Sequence, residues 1–121
     1  MTNQTDTYFY TLSSVDDMDR IAVPLVLANA ALAMGQEALI WLTLDGVKIA
    51  KKGMVDDLIS PSFSKIKDLL QQYTDAGGKL GICPACAKTH DVTDENIIKS
   101  ASWMGAAAVQ EAAIGRQILS F

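Results

Sequence analysis

The spacing of apolar residues changes several times along this chain, and each change marks an element. Thr7–Leu12 (TYFYTL) is rich in β-branched and aromatic residues and reads as a strand. Asp16, Asp17 and Asp19 complement the start of a helix that runs to about Met34 and is apolar nearly all round. Pro24 lies inside it, so a separate first turn or a kink is expected there. Gly35 stops the helix. Ala38–Leu44 (ALIWLTL) is an almost unbroken apolar run, the pattern of a strand covered on both faces. Asp45-Gly46 turns the chain, and Val47–Lys52 forms a short helix closed by Gly53. A loop follows to Pro61. Ser62 or Ser64 caps the next helix, which runs to about Asp75 with Phe63, Ile66, Leu69, Leu70 and Tyr73 at helical spacing. Gly77-Gly78 ends it before a short strand, Lys79–Ile82. Pro84–Thr89 begins a helix or turn, with proline in the first turn. Thr93 caps a turn through Ile97. Ala101–Met104 reads as a short strand, Gly105–Ile114 as an alanine-rich helix and Gln117–Ser120 as a last strand.

Strands alternating with helices imply an α/β fold, a mostly parallel sheet with helices on both faces. Ligands of such sheets bind outside the carboxyl ends of the strands. Thr11-Leu12-Ser13, Leu44-Asp45-Gly46 and Cys83-Pro84-Ala85-Cys86 all end there and are expected to share one rim.

Composition narrows the classes. The 121 residues make one domain, 7–121, behind a short polar tail, 1–6. Half the residues are apolar and 20% are charged, which excludes intrinsic disorder. A net charge of −4 argues against nucleic-acid binding. The longest uncharged run, Ile21–Gln36, falls short of a membrane span and contains Pro24 and Asn29, so no membrane partner is expected. The tail has neither the basic nor the apolar region of a signal peptide. Cytoplasmic residence with reduced thiols is the expectation.

The residues richest in chemistry are the two cysteines, Cys83 and Cys86. Randomly placed, two cysteines lie three apart in roughly 2% of arrangements, so this spacing carries information. A thiol between a strand end and a helix start sees the positive end of the helix dipole, which favours the thiolate. Lys88 and His90 add positive charge nearby. The set describes a nucleophilic Cys83 with Cys86 as a resolving partner. Two plainer readings stand beside it: buried core cysteines, or a metal site of Cys83, Cys86 and His90, which lacks the usual fourth ligand. No metal and no organic cofactor are expected. His90 reads as an exposed turn residue or as a proton donor near Cys83. Asp45-Gly46 reads as a plain turn or as part of the rim. Trp41 reads as core or interface, Trp103-Met104 as packing, and Lys48, Lys51 and Lys52 as a solvated face or as the flank of an anionic ligand. Gly77-Gly78 precedes a strand, the wrong place for a phosphate-binding loop. A thioredoxin carries its C-x-x-C after its first βα strand, whereas here the motif follows the third.

Three stretches resemble the DsrE/DsrF-like proteins, the sulfurtransferase fold that includes TusD-type sulfur carriers. They are Leu42-Thr43-Leu44-Asp45-Gly46-Val47 with Lys51-Lys52-Gly53, the cysteine loop from Gly77-Gly78 through Cys83-Pro84-Ala85-Cys86 to Lys88, and Met104-Gly105-Ala106-Ala107 with the terminal Leu119-Ser120-Phe121. The resemblance implies a three-layer α/β/α sandwich of about five mostly parallel strands, assembled as a homo-oligomeric trimer or hexamer. It implies that Cys83 carries sulfur as a persulfide between sulfur-donor and sulfur-acceptor proteins. Small residues often stand at the position of Cys86 in the family, and an arginine-glycine pair often stands where this chain has His90-Asp91. Cys83 and Cys86 are therefore the expected reactive residues, with His90, Lys88, Asp45, Gly46 and Ser13 as substrate-binding or pKa-tuning neighbours. A C-x-x-C redox protein and a non-catalytic oligomeric ligand-binding module are the competing readings. Surplus apolar surface on the helices 21–34 and 105–114 supports self-association independently.

Overall fold

Side chains on β2 (Glu37–Leu42) alternate, with Ile40 and Leu42 buried and Leu39 and Trp41 half-buried between them. That period of two gives the sheet one dry face and one partly covered face. The computed structural model describes residues 7–12 and 14–121. Its sheet has five strands in the order β4-β3-β2-β1-β5, all parallel, with β1 at Thr7–Leu12, β3 at Lys79–Ile82, β4 at Ala101–Trp103 and β5 at Gln117–Ser120.

The strand order places the helices. From β1 to β4 each crossover steps the same way, so right-handed connections carry α1 (Met18–Ala33) and α2 (Ile66–Asp75) over one face. The step from β4 to β5 reverses across the sheet and sends α4 (Ala106–Ala113) to the other. The dry face holds the core: Ile21, Leu25 and Ala28 of α1, Ile66 and Tyr73 of α2, and Ile40, Leu42, Leu80 and Ile82 of the strands. On the second face Gly81 lies against Trp41 and Met104. A Cβ there would meet Met104 Sδ at 2.9 Å, and the Trp41 indole N–H donates to the Met104 carbonyl at 3.0 Å.

Several expectations need correction. The second strand stops at Leu42, two residues early, because Leu44 adopts a left-handed φ of 50° and opens a 3-10 helix, Leu44–Ala50. Asp45 and Gly46 are therefore the helix's first turn rather than a separate turn before Val47. The Gly46 N–H closes that turn on the Thr43 carbonyl at 2.8 Å. Pro24 does not set off a separate first turn: α1 is a single 16-residue helix capped by the Asp17 carboxylate. Neither Ser62 nor Ser64 caps α2, which starts at Ile66 behind Lys65 without a side-chain cap. Ser60 and Ser62 are drawn instead to the Asp19 carboxylate on α1. Phe63 is accordingly in the loop and exposed, not on the helix's inner face. β4 and α4 are trimmed at their ends to the ranges given. Among the described residues no helix is long and apolar enough to cross a membrane.

Candidate functional site

β2 and β3 are neighbours in register, Leu42 beside Ile82, and the Cys83 N–H donates to the Leu42 carbonyl at 3.0 Å. The residues that follow the two strands, Thr43 and Cys83, therefore emerge together at the carboxyl rim. Pro84 follows as the first residue of α3 (Pro84–Thr89), with Cys83 at its cap. One turn of helix then brings Cys86 back over the rim. Its Sγ lies 3.6 Å from Thr43 Oγ1, and both cysteines are free and half-buried.

The Cys86 thiol is perturbed by its neighbours. Burial pushes it up, but hydrogen bonds to its sulfur from the Cys83 thiol, the Thr43 hydroxyl and the Leu44 amide outweigh this and hold it below the usual thiol range. Leu44 provides its amide through the left-handed backbone noted above, a conformation that a leucine adopts at a cost of order 1 kcal/mol.

The neighbours expected from sequence separate into two groups. Asp45 and His90 meet, with His90 Nε2 3.0 Å from Asp45 Oδ1. This joins the end of α3 to the 3-10 helix, and His90 also donates its backbone N–H to the Cys86 carbonyl at 3.2 Å. Gly46 is buried and serves the turn that positions Thr43 and Leu44. Lys88 is exposed and borders a groove with Trp103 and Val92 instead of the thiols. Ser13 lies outside the described residues. Among those described, no cluster of three or more His, Cys, Asp or Glu is arranged to hold a metal.

Sequence reasoning did not single out Thr43. The legible signal for Thr43 was a hydroxyl residue at the end of the strand preceding the cysteine strand. Two free thiols one helical turn apart, beside a hydroxyl, make this a site suited to thiol chemistry.

A parallel five-stranded sheet with a cysteine loop on its carboxyl rim defines a class of α/β protein. The DsrE/DsrF-like family model matches residues 7–121, and the chain belongs to that family. It is 31% identical over 72 residues to the uncharacterized protein MJ0760 of Methanocaldococcus jannaschii, covering 60% of this chain and 26% of that protein. It is 32% identical over 81 residues to the uncharacterized protein MK0008 of Methanopyrus kandleri, covering 67% and 64%. The chain thus spans about a quarter of the first relative and under two thirds of the second. The crystal structure of the ychN protein from E. coli superposes with a TM-score of 0.71 at 11% identity, covering 95% of this chain and 99% of that one, and shares the fold.

Proposed function

We propose that this is a cytoplasmic sulfur-relay protein that takes persulfide sulfur at the Cys83/Cys86 pair and hands it from a donor protein to an acceptor protein. Membership of the DsrE/DsrF-like family supports a role of the sulfur-relay type. The observation that carries the finer reading is the pair itself: two free, half-buried thiols one helical turn apart on the rim where parallel sheets bind ligands, with Cys86 Sγ 3.6 Å from Thr43 Oγ1 and its thiol held below the usual range. Sulfur transfer requires an accessible thiolate and a thiol leaving group, which this pair provides without a metal or an organic cofactor.

Self-association into a trimer or hexamer belongs to the same proposal. No residue of α4 is fully buried, and Ile114 and Ile118 are 79% and 54% exposed. Copies of the chain would cover that surface.

Intact-mass spectrometry after incubation with a persulfide donor tests the relay. A gain of about 32 Da, one sulfur atom, in wild type and its loss in the Cys83→Ser/Cys86→Ser double variant is the expected result. The hydrogen bond between the two thiols also favours a dithiol redox role. A loss of about 2 Da on oxidation, with no sulfur gained from the donor, selects that second reading.

A further inference from the structure

We propose that Cys86, rather than Cys83, is the thiolate that first takes the sulfane sulfur, and that Thr43 is its positioning residue. The inference rests on the sulfur-relay reading and assigns the order of events within it.

Geometry separates the two cysteines. Cys83 is fixed by the backbone at the strand end and sits at the helix cap. Cys86, one turn on, is the sulfur that meets the neighbouring strand end: its Sγ lies 3.6 Å from Thr43 Oγ1, and the Cys83 thiol, Thr43 and the Leu44 amide together hold it below the usual thiol range. They come from the two neighbouring strand ends, so the cradle exists only because β2 and β3 are adjacent and in register. The Leu44 amide reaches it from a residue held at a φ of 50°. Strain at one residue beside a reactive sulfur marks a turn shaped by the site. Besides Cys86, the titratable groups on the 3-10 helix and on α3 with its caps are Cys83, Asp45, Lys48, Lys88 and His90, while Glu37 of β2 and Lys79 of β3 lie at the opposite ends of their strands. Asp45 and His90 satisfy each other, and Lys88, two residues on, lies about 200° round the helix from Cys86.

In the first step the Cys86 thiolate attacks the outer sulfur of a persulfide R–S–SH. The S–S bond of the donor breaks, R–S⁻ leaves and takes a proton from solvent, and Cys86–S–SH forms. In the second step Cys83 gives its proton to solvent and attacks the outer sulfur in turn, giving Cys83–S–SH and regenerating the Cys86 thiolate. Oxidation level is conserved in both steps, so no outside oxidant or reductant is consumed. Thr43 acts through Cys86 by holding its charge in place.

Brief exposure to glutathione persulfide, quenching with iodoacetamide and fragment mapping by mass spectrometry test the order. Cys83→Ser is expected to load Cys86, and Cys86→Ser to load Cys83 at least about tenfold more slowly at pH 7. Undiminished loading of Cys83 in Cys86→Ser overturns this inference and leaves the relay standing. No sulfur gained by wild type or either variant overturns the relay itself. For Thr43, the pH profile of Cys86 alkylation is read in a Cys83→Ser background. Thr43→Val is expected to move the midpoint up by about half a unit to one unit, and Thr43→Ser to restore it. An unmoved midpoint in Thr43→Val removes Thr43 from the cradle.

Discussion

His90 Nε2 lies 3.0 Å from Asp45 Oδ1, so the C-cap of the cysteine helix is tied to the first turn of the 3-10 helix. The same two elements carry Cys86 and the Leu44 amide, and the contact therefore braces the cradle from outside. Both side chains are partly exposed, which limits its contribution to stability. A double-mutant cycle of Asp45→Ala and His90→Ala, followed by thermal unfolding, is expected to show a coupling of about 0.2–1 kcal/mol. A coupling indistinguishable from zero would mean that the two side chains do not brace the rim.

Tyr73 is expected to matter more to stability than to the site. Its ring is fully buried beneath the start of the sheet, and its hydroxyl donates to the Lys79 carbonyl at 2.7 Å and the Ala38 carbonyl at 3.3 Å. Burial pushes the phenol far up, so it remains a donor across the working pH range. Gly78 leaves room for the ring, and a Cβ there would come within 2.4 Å of it. Tyr73→Phe should cost about 1 kcal/mol from the lost hydrogen bonds. Gly78→Ala should cost about 1–3 kcal/mol from overpacking. Urea unfolding measures both, and an alanine at 78 with unchanged stability would contradict the close approach.

The loop between the 3-10 helix and α2 is clamped to α1 through one carboxylate. Asp19 accepts from the Ser60 hydroxyl at 2.5 Å, the Ser62 hydroxyl at 2.7 Å and the Ser62 amide at 3.0 Å. The Ser60 hydroxyl bond, then the two from Ser62, hold its carboxyl below the usual range. A lowered carboxylate stabilises the fold above its ordinary titration range, and the contribution disappears as pH falls through the folded-state value. Asp19→Asn should therefore be less stable than wild type at neutral pH, and the gap should close in acid below pH ~4. Urea midpoints at the two pH values test the sign, and a gap that widens in acid refutes it.

The fold was legible because its strands announce themselves locally. TYFYTL, KLGI and QILS each carry strand-forming residues between clear stops, and all three appear at the expected positions. The rim was legible for the same reason, since parallel strands must end on one side. What sequence hid depends on distant partners. Ser62 is a good cap by local chemistry, but Asp19, 43 positions away, captures its hydroxyl. Likewise Cys83 has the better local position at the helix cap, while Cys86 gains its donors from Thr43 and Leu44 across the sheet. Leu44 is a poor candidate for a left-handed backbone by propensity, so its φ of 50° was not legible in the sequence.

The second face of the sheet leads to a last prediction. Its cover is a single eight-residue helix, α4, none of whose residues is fully buried. Trp41 and Leu39 on that face are half-buried, and Ile114 and Ile118 stand out into solvent. Isolated exposed apolar residues need no explanation, but several on one weakly covered layer favour self-association. Closed symmetric assembly would bury them, consistent with the proposed trimer or hexamer. Sedimentation velocity at micromolar concentration should show one assembly of that size. Ile114→Glu and Ile118→Lys each place a charge on the face and should shift the population toward monomer while far-UV circular dichroism stays unchanged. Thermal stability of those variants should fall and become independent of protein concentration, because burial against copies stabilises the folded chain by mass action. A wild-type monomer at micromolar concentration would show that the chain tolerates this face in water, and would sink the assembly part of the proposal.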